Sequence, residues 1–253
     1  MKLAMDVGNT HTVLGTIENG SIEQRVRTET RSGITGDELR LQWDSFFDFS
    51  SMDEVTLVVA SVVPEITREL RELNRTTDLR VFFLEPPWEQ TPITVNTDRP
   101  DRVGADRIAG ATAFHREFGG GIIVDFGTAT TLDLISEDGR YRGGVIFPGI
   151  EASASGLAEQ AALLPQITTD PPDSLSFQNT QSGLRSGLFY GTAGAVDRLL
   201  DELIQESDLR ADSPVVATGG GAQAMSRLVD RISDVRSDLV IEGLRMISSS
   251  LEG

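Results

Sequence analysis

Three aspartates stand where residue type and spacing could do chemistry: Asp6, Asp106 and Asp125. Asp6 and Asp125 each close a short apolar run and open the same pattern. The first copy reads Leu3-Ala4-Met5, then Asp6-Val7-Gly8-Asn9-Thr10-His11-Thr12-Val13. The second reads Ile122-Ile123-Val124, then Asp125-Phe126-Gly127-Thr128-Ala129-Thr130-Thr131. A tight turn of the form Asp-x-Gly-(Asn/Thr)-x-x-Thr aims backbone N–H groups and threonine hydroxyls into one concavity, which suits phosphate oxygens. Its glycine lets the ligand come close to the backbone. The aspartate can hold Mg²⁺, largely through water, because magnesium dehydrates reluctantly. A single loop of this kind reads first as a β-turn with an Asx-type bond. Two copies at matching places favour a clamp on a polyphosphate.

Other nucleotide chemistries are excluded. Lys2 is the only lysine, so a Walker loop, whose lysine reaches the phosphates, cannot be built. No Gly-x-Gly-x-x-Gly fingerprint occurs. Cysteine is absent, which removes thiol nucleophiles, disulfides and zinc-thiolate sites. His11 and His115 are too few and too far apart in sequence for a metal motif. The net charge of -17 argues against a general nucleic-acid surface.

The elements that must position the aspartates repeat as well. Each Asp-containing strand leads to a second strand, a turn and a third strand. The turns are Glu18-Asn19-Gly20-Ser21 and Glu137-Asp138-Gly139-Arg140, both strong hairpin signals. In the first copy, Gly36–Phe49 and Glu65–Asn74 carry helical spacing around the strand-like run Val55–Val62. In the second, Ile150–Leu164 and Leu184–Gln205 read as helices, and Pro214–Thr218 as a buried strand before Gly219-Gly220-Gly221. Pro171-Pro172 marks a loop. This is an α/β pattern with a duplicated domain, the copies spanning 1–118 and 119–253. The apolar stretch around Val55–Val63 is too short to cross a bilayer, and no leader-like segment precedes Leu3, so a soluble cytoplasmic protein is expected.

At this point the chain resembles the type III pantothenate kinases of the acetate kinase/sugar kinase/Hsp70/actin superfamily. The segments carrying the likeness are Asp6–Thr10, Gly104-Ala105-Asp106-Arg107, Asp125–Thr131, Gly143-Gly144-Val145-Ile146-Phe147-Pro148-Gly149, and Ser182-Gly183 through Phe189-Tyr190-Gly191. The resemblance implies two actin-like (ribonuclease H-like) domains with a nucleotide cleft between them. It implies phosphorylation of pantothenate by ATP, Mg²⁺, a monovalent cation (K⁺ or NH₄⁺), and a homodimer with pantothenate near the subunit interface.

Residue by residue, the resemblance makes Asp106 the catalytic residue facing the acceptor hydroxyl, although an aspartate at a helix start is equally an N-cap. Gly104, Ala105, Asp106 and Arg107 fall on the pantothenate segment, and guanidinium suits the substrate carboxylate. Asp6, Val7, Gly8, Asn9, Thr10, His11, Thr12 and Val13 fall on the ATP loop, with Asp6 near Mg²⁺. His11 suits either a phosphate contact or loop packing. Asp125 matches the monovalent-cation position, Thr128 an ATP contact, and Thr180 a pantothenate contact. Gly219-Gly220-Gly221 matches the adenine-side loop. Thr97 stands where many relatives carry tyrosine. Two other readings remain at this level: an accessory regulatory protein of the same fold, or a kinase for another small hydroxy compound. Intact Asp6, Asp106 and Asp125 favour the enzyme.

The acidic, lysine-poor composition fits two origins, a salty cytoplasm or GC-rich codon usage. Counterion screening of a surface at -17 predicts that molar KCl raises the melting temperature. A melt indifferent to salt assigns the composition to codon usage.

Overall fold

The computed structural model describes residues 1–47, 54–161, 165 and 170–250. In chain order the elements begin with β1 (Lys2–Val7), β2 (His11–Glu18), β3 (Ser21–Glu29), α1 (Gly36–Asp44), β4 (Val55–Ser61), α2 (Pro64–Thr76), β5 (Leu79–Phe83), β6 (Thr94–Val95) and α3 (Ala105–Phe118). They continue with β7 (Gly121–Phe126), β8 (Ala129–Ile135), β9 (Arg140–Pro148), α4 (Ile150–Gln160), α5 (Thr180–Gln205), β10 (Val215–Thr218), α6 (Ala222–Met225), β11 (Asp234–Val235) and α7 (Leu239–Ser250). Two compact units result: Met1–Glu117 with the segment from Asp238 onward, and Phe118–Ser237.

The first unit holds a five-stranded sheet in the order β3-β2-β1-β4-β5. β1 lies at its centre, antiparallel to β2 and parallel to β4. Such a strand is covered on both faces and reads as a nearly continuous apolar run. On one face Leu3, Met5, Val7, Leu14, Leu57 and Val59 join Trp43 and the helix residues Ile66, Leu70 and Leu73 in one core. Those last three recur at helical spacing on α2 and give it its buried stripe. The opposite face carries Asp6 at its end. Lower on that face, Gly15 leaves room for Ile241 of α7; an ideal Cβ there would lie 3.2 Å from its methyl. α7 also meets α3 closely, since a Cβ at Gly243 would fall 1.8 Å from the Ala109 carbonyl oxygen.

Helix α7 therefore sits in the first unit, whereas the sequence reading had it close a domain running 119–253. Its buried residues Leu239, Ile241, Leu244 and Ile247 find their partners on sequence-distant elements, which periodicity does not reveal.

In the second unit the strands run β11-β10-β7-β8-β9, with β7 parallel to β10 and antiparallel to β8. Ile122, Val124, Phe126 and Leu132 pack with Phe189, Val196 and Leu200 of α5. α5 starts at Thr180, earlier than the expected Leu184, because Asn179 and Ser182 form a reciprocal capping box. Helix α4 ends at Gln160; the remainder of the expected helix, residues 162–164, lies outside the described residues, as do residues 48 and 49 of the helix expected after Gly36.

Candidate active site

Asp6, next to last in β1, faces Val13 of β2, and the chain turns through Gly8, Asn9 and Thr10 into His11. The Gly8 N–H donates to the His11 carbonyl at 3.0 Å. Thr30, just after β3, braces this turn. Its hydroxyl donates to the Gly8 carbonyl at 2.7 Å and lies 2.9 Å from the Thr12 hydroxyl, while its N–H donates to the Thr10 carbonyl at 2.9 Å. Asn9 and Thr10 are left exposed at the tip. Thr30 escaped the sequence reading because its strand has no motif of its own.

The second loop is not an exact copy. Asp125, next to last in β7, faces Thr131, and Phe126 faces Thr130. In the first loop Thr12 faces Val7, so its structural counterpart is Thr130 and not Thr131, as the sequence pattern had it. The second loop is one residue shorter. Gly149 takes the place of Thr30: its N–H donates to the Thr128 carbonyl at 3.1 Å. A Cβ at position 149 would sit 2.3 Å from the Gly127 carbonyl oxygen, so the side-chain brace is replaced by direct backbone approach. The Thr130 hydroxyl, buried, has no hydrogen-bond partner among the described residues. Thr128 is exposed at the tip.

Asp125 has a built surrounding. Its Oδ1 is buried. Ideal Cβ atoms would lie 3.4 Å from it at Gly127 and 2.2 Å at Gly219, where φ is +85°. The Gly221 N–H donates to the Phe126 carbonyl at 3.0 Å. The triglycine segment read as an adenine-side loop thus also makes room for the Asp125 carboxylate. Beside it, Thr131 donates to Asp133 at 3.0 Å, and Tyr141 donates to the same carboxylate at 2.6 Å. Asp133 and Tyr141 are both buried, which a carboxylate tolerates only with such donors. The sequence reading passed over both.

Asp106 is the second residue of α3. The Ile108 N–H reaches the Gly104 carbonyl at 3.3 Å, so Gly104 is the last residue before the helix and Asp106 is not its N-cap. Asp106 Oδ1 accepts from the Arg107 N–H at 2.8 Å. A Cβ at Gly104 would lie 2.4 Å from that oxygen. Arg107 is half-buried, with Nη2 enclosed. Upstream, Trp88 donates to the Pro100 carbonyl at 3.0 Å, and Arg99 grips Asp101 through two hydrogen bonds that hold its carboxyl below the usual range. The Thr97 hydroxyl is buried and has no partner among the described residues.

The chain just after β4 lies between Val7 and Gly104. The Val62 N–H donates to the Val7 carbonyl at 3.0 Å, and the Val62 side chain would touch a Cβ at Gly104 at 3.5 Å. A shallow depression lined by Ser61, Val62, Pro64, Thr67, Arg68 and Arg71 opens at the same strand end. Thr180 is the first residue of α5 and exposed; Asn179, not Thr180, is the cap. Among the described residues no three His, Cys, Asp or Glu side chains gather into a metal site. A divalent ion held by Asp6 would therefore complete its shell with ligand phosphates and water, the habit of magnesium.

A profile described as type III pantothenate kinase matches residues 2–202. A type III pantothenate kinase of Syntrophotalea carbinolica is 38% identical over 98% of each chain, and one of Anaeromyxobacter is 39% identical over the same shares. Among solved structures, a Campylobacter jejuni protein described as a Baf family transcriptional activator aligns at TM-score 0.64 with 20% identity, covering 99% of this chain and 98% of that one. A ROK family glucokinase of Streptomyces griseus, solved with glucose and AMPPNP, aligns at TM-score 0.53 with 13% identity, covering 100% and 99%. At such identities the two structures speak to the fold alone.

Gly104→Ala tests the fit around Asp106. The added methyl forces the carboxylate off the Arg107 N–H, so turnover is expected to fall about tenfold or more with little change in melting temperature. Wild-type turnover in a folded variant would show that this placement does not matter.

Proposed function

The chain belongs to the type III pantothenate kinase family, and from that membership we propose that it transfers the γ-phosphoryl group of ATP to the terminal hydroxyl of pantothenate, the first step toward coenzyme A. The observation that carries the reading is the setting of Asp106, whose Oδ1 accepts from the Arg107 N–H beside a glycine at position 104, where a side chain would collide with that oxygen. A binding module has no need of an acid held this way.

In this reading Asp106 orients the acceptor hydroxyl and takes its proton late, as befits a loose phosphoryl-transfer transition state. Arg107 meets the pantothenate carboxylate, with Gly104, Ala105 and Thr180 completing the acceptor contacts. Asp6 and the loop through Val13 serve the ATP phosphates, as does Thr128. Mg²⁺, when bound at Asp6, neutralises phosphate charge. A monovalent ion, K⁺ or NH₄⁺, belongs to Asp125. Among the described residues no helix is long and apolar enough to cross a membrane, and a cytoplasmic location fits a biosynthetic kinase.

Pantothenate-dependent ADP release, stimulated by K⁺ over Na⁺, is the expected result of a coupled assay across a panel of small hydroxy acids. Asp106→Asn is expected to lower kcat by about a hundredfold or more with ATP binding nearly intact. ADP release with a different hydroxy acid would move the substrate, and no release at all would favour a regulatory role.

We also infer a homodimer built on the second unit. α5 presents Gly183, Gly187, Gly191 and Gly194 along one stripe, each with open space where a side chain would be. Ile146, Leu157, Leu175, Phe177 and Tyr190 are exposed, and α4 buries no residue. Small residues in register let two helices approach closely. Light scattering should give twice the chain mass of 27.4 kDa, and Gly187→Trp should give monomers. A monomeric wild type would overturn the dimer.

A further inference from the structure

We propose that Arg27 is a further phosphate-binding residue of the ATP site, positioned by His11. The inference rests on the reading of the Asp6–Val13 loop as the ATP loop.

Strand register places it. Asp6 faces Val13, and Val13 faces Arg27 on β3. His11, two residues before Val13, faces Glu29. Directly paired residues, and residues two apart on one strand, point to the same side of a sheet. Asp6, His11, Val13, Arg27 and Glu29 therefore share one face, at the end of the sheet where the loop lies. The core of Leu3, Met5, Val7 and Leu14 occupies the other face. Arg27 stands on the Asp6 side of the molecule, one strand beyond the loop's own strand.

Its partner is unusual for this chain. Arg27 Nη2 lies 3.1 Å from His11 Nδ1. Guanidinium only donates, so Nδ1 accepts and the imidazole is the neutral tautomer with its proton on Nε2. Among the described residues Arg27 has no ion pair, although the chain has 39 acidic side chains to 22 cationic ones. Glu29, two residues away on the same face, does not pair with it. Arg25, the other arginine on that face of β3, lies 3.9 Å from Asp238. An exposed arginine held by a neutral imidazole keeps its charge and most of its N–H fork for an anion. The chemistry needed here matches: the one lysine, Lys2, lies at the far end of β1 from Asp6, roughly 13 Å along the strand. A kinase without a phosphate-reaching lysine must neutralise its triphosphate with metal ions, backbone dipoles and arginine.

The test measures equilibrium binding of ATP, ADP and AMP, with Mg²⁺ at fixed ionic strength, to the full chain. Arg27→Met should weaken ATP about ten- to a hundredfold, as expected for loss of a charge-assisted contact, and leave AMP unchanged. Arg27→Gln serves as a second variant should the first fail to fold. His11→Ala should weaken ATP as well, but add nothing in the Arg27→Met background, because it acts through Arg27. Asp6→Asn is measured alongside. Wild-type ATP binding by Arg27→Met, with Asp6→Asn impaired, would overturn the role of Arg27 while the loop reading stands. Wild-type binding by both would sink the loop reading too. Equal losses for ATP and AMP would also reject a phosphate contact.

Discussion

In each unit, one candidate carboxylate depends on how closely backbone can approach it. Asp106 and Asp125 each have a glycine where any Cβ would fall inside contact distance of Oδ1, at 2.4 Å from Gly104 and 2.2 Å from Gly219. At position 219, where φ is +85° and the Phe126 backbone would lie 2.8 Å from a Cβ, the absence of a side chain is a requirement; at position 104 it leaves the Asp106 carboxylate its place. It permits the Asp106 oxygen to reach the Arg107 N–H, and it permits the Asp125 oxygen to be enclosed without collision. Carboxylates placed this way are oriented before any ligand arrives, which is what phosphoryl transfer asks of a protein that contributes mainly position and charge.

The same constraint explains how the two copies of the loop diverged. The first keeps a longer turn, braced from its third strand by the Thr30 hydroxyl. The second is a residue shorter and lets Gly149 press its backbone onto the Gly127–Thr128 turn. Shortening brings Thr131 opposite Asp125 and ties it to the buried Asp133–Tyr141 pair. The two loops therefore differ in length, in bracing and in the residue that faces the aspartate, Val13 in one and Thr131 in the other.

The charge balance adds a second pressure. A chain at -17 that binds an anionic nucleotide must gather its positive field locally. Many of its arginines are spent in pairs such as Arg99–Asp101, Arg210–Asp212 and Arg231–Asp201. The exceptions carry information, and Arg27 against His11 is one of them.

The sequence by itself determined the chemistry and the fold class. Asp-x-Gly repeats, Gly-Ala-Asp-Arg and the missing lysines were legible because each depends on residue type within a few positions. Hairpin turns and helix stripes were legible for the same reason: their periods are local. Only the tertiary structure decided which threonine answers Thr12, that α7 joins the first unit, that Val62 lies between Val7 and Gly104, and that Arg27 shares a face with Asp6. Each of these rests on strand register or on contact between distant segments. Register has a period of two, so a shift of one residue turns a side chain to the other face, and only the long-range pairing chooses between them.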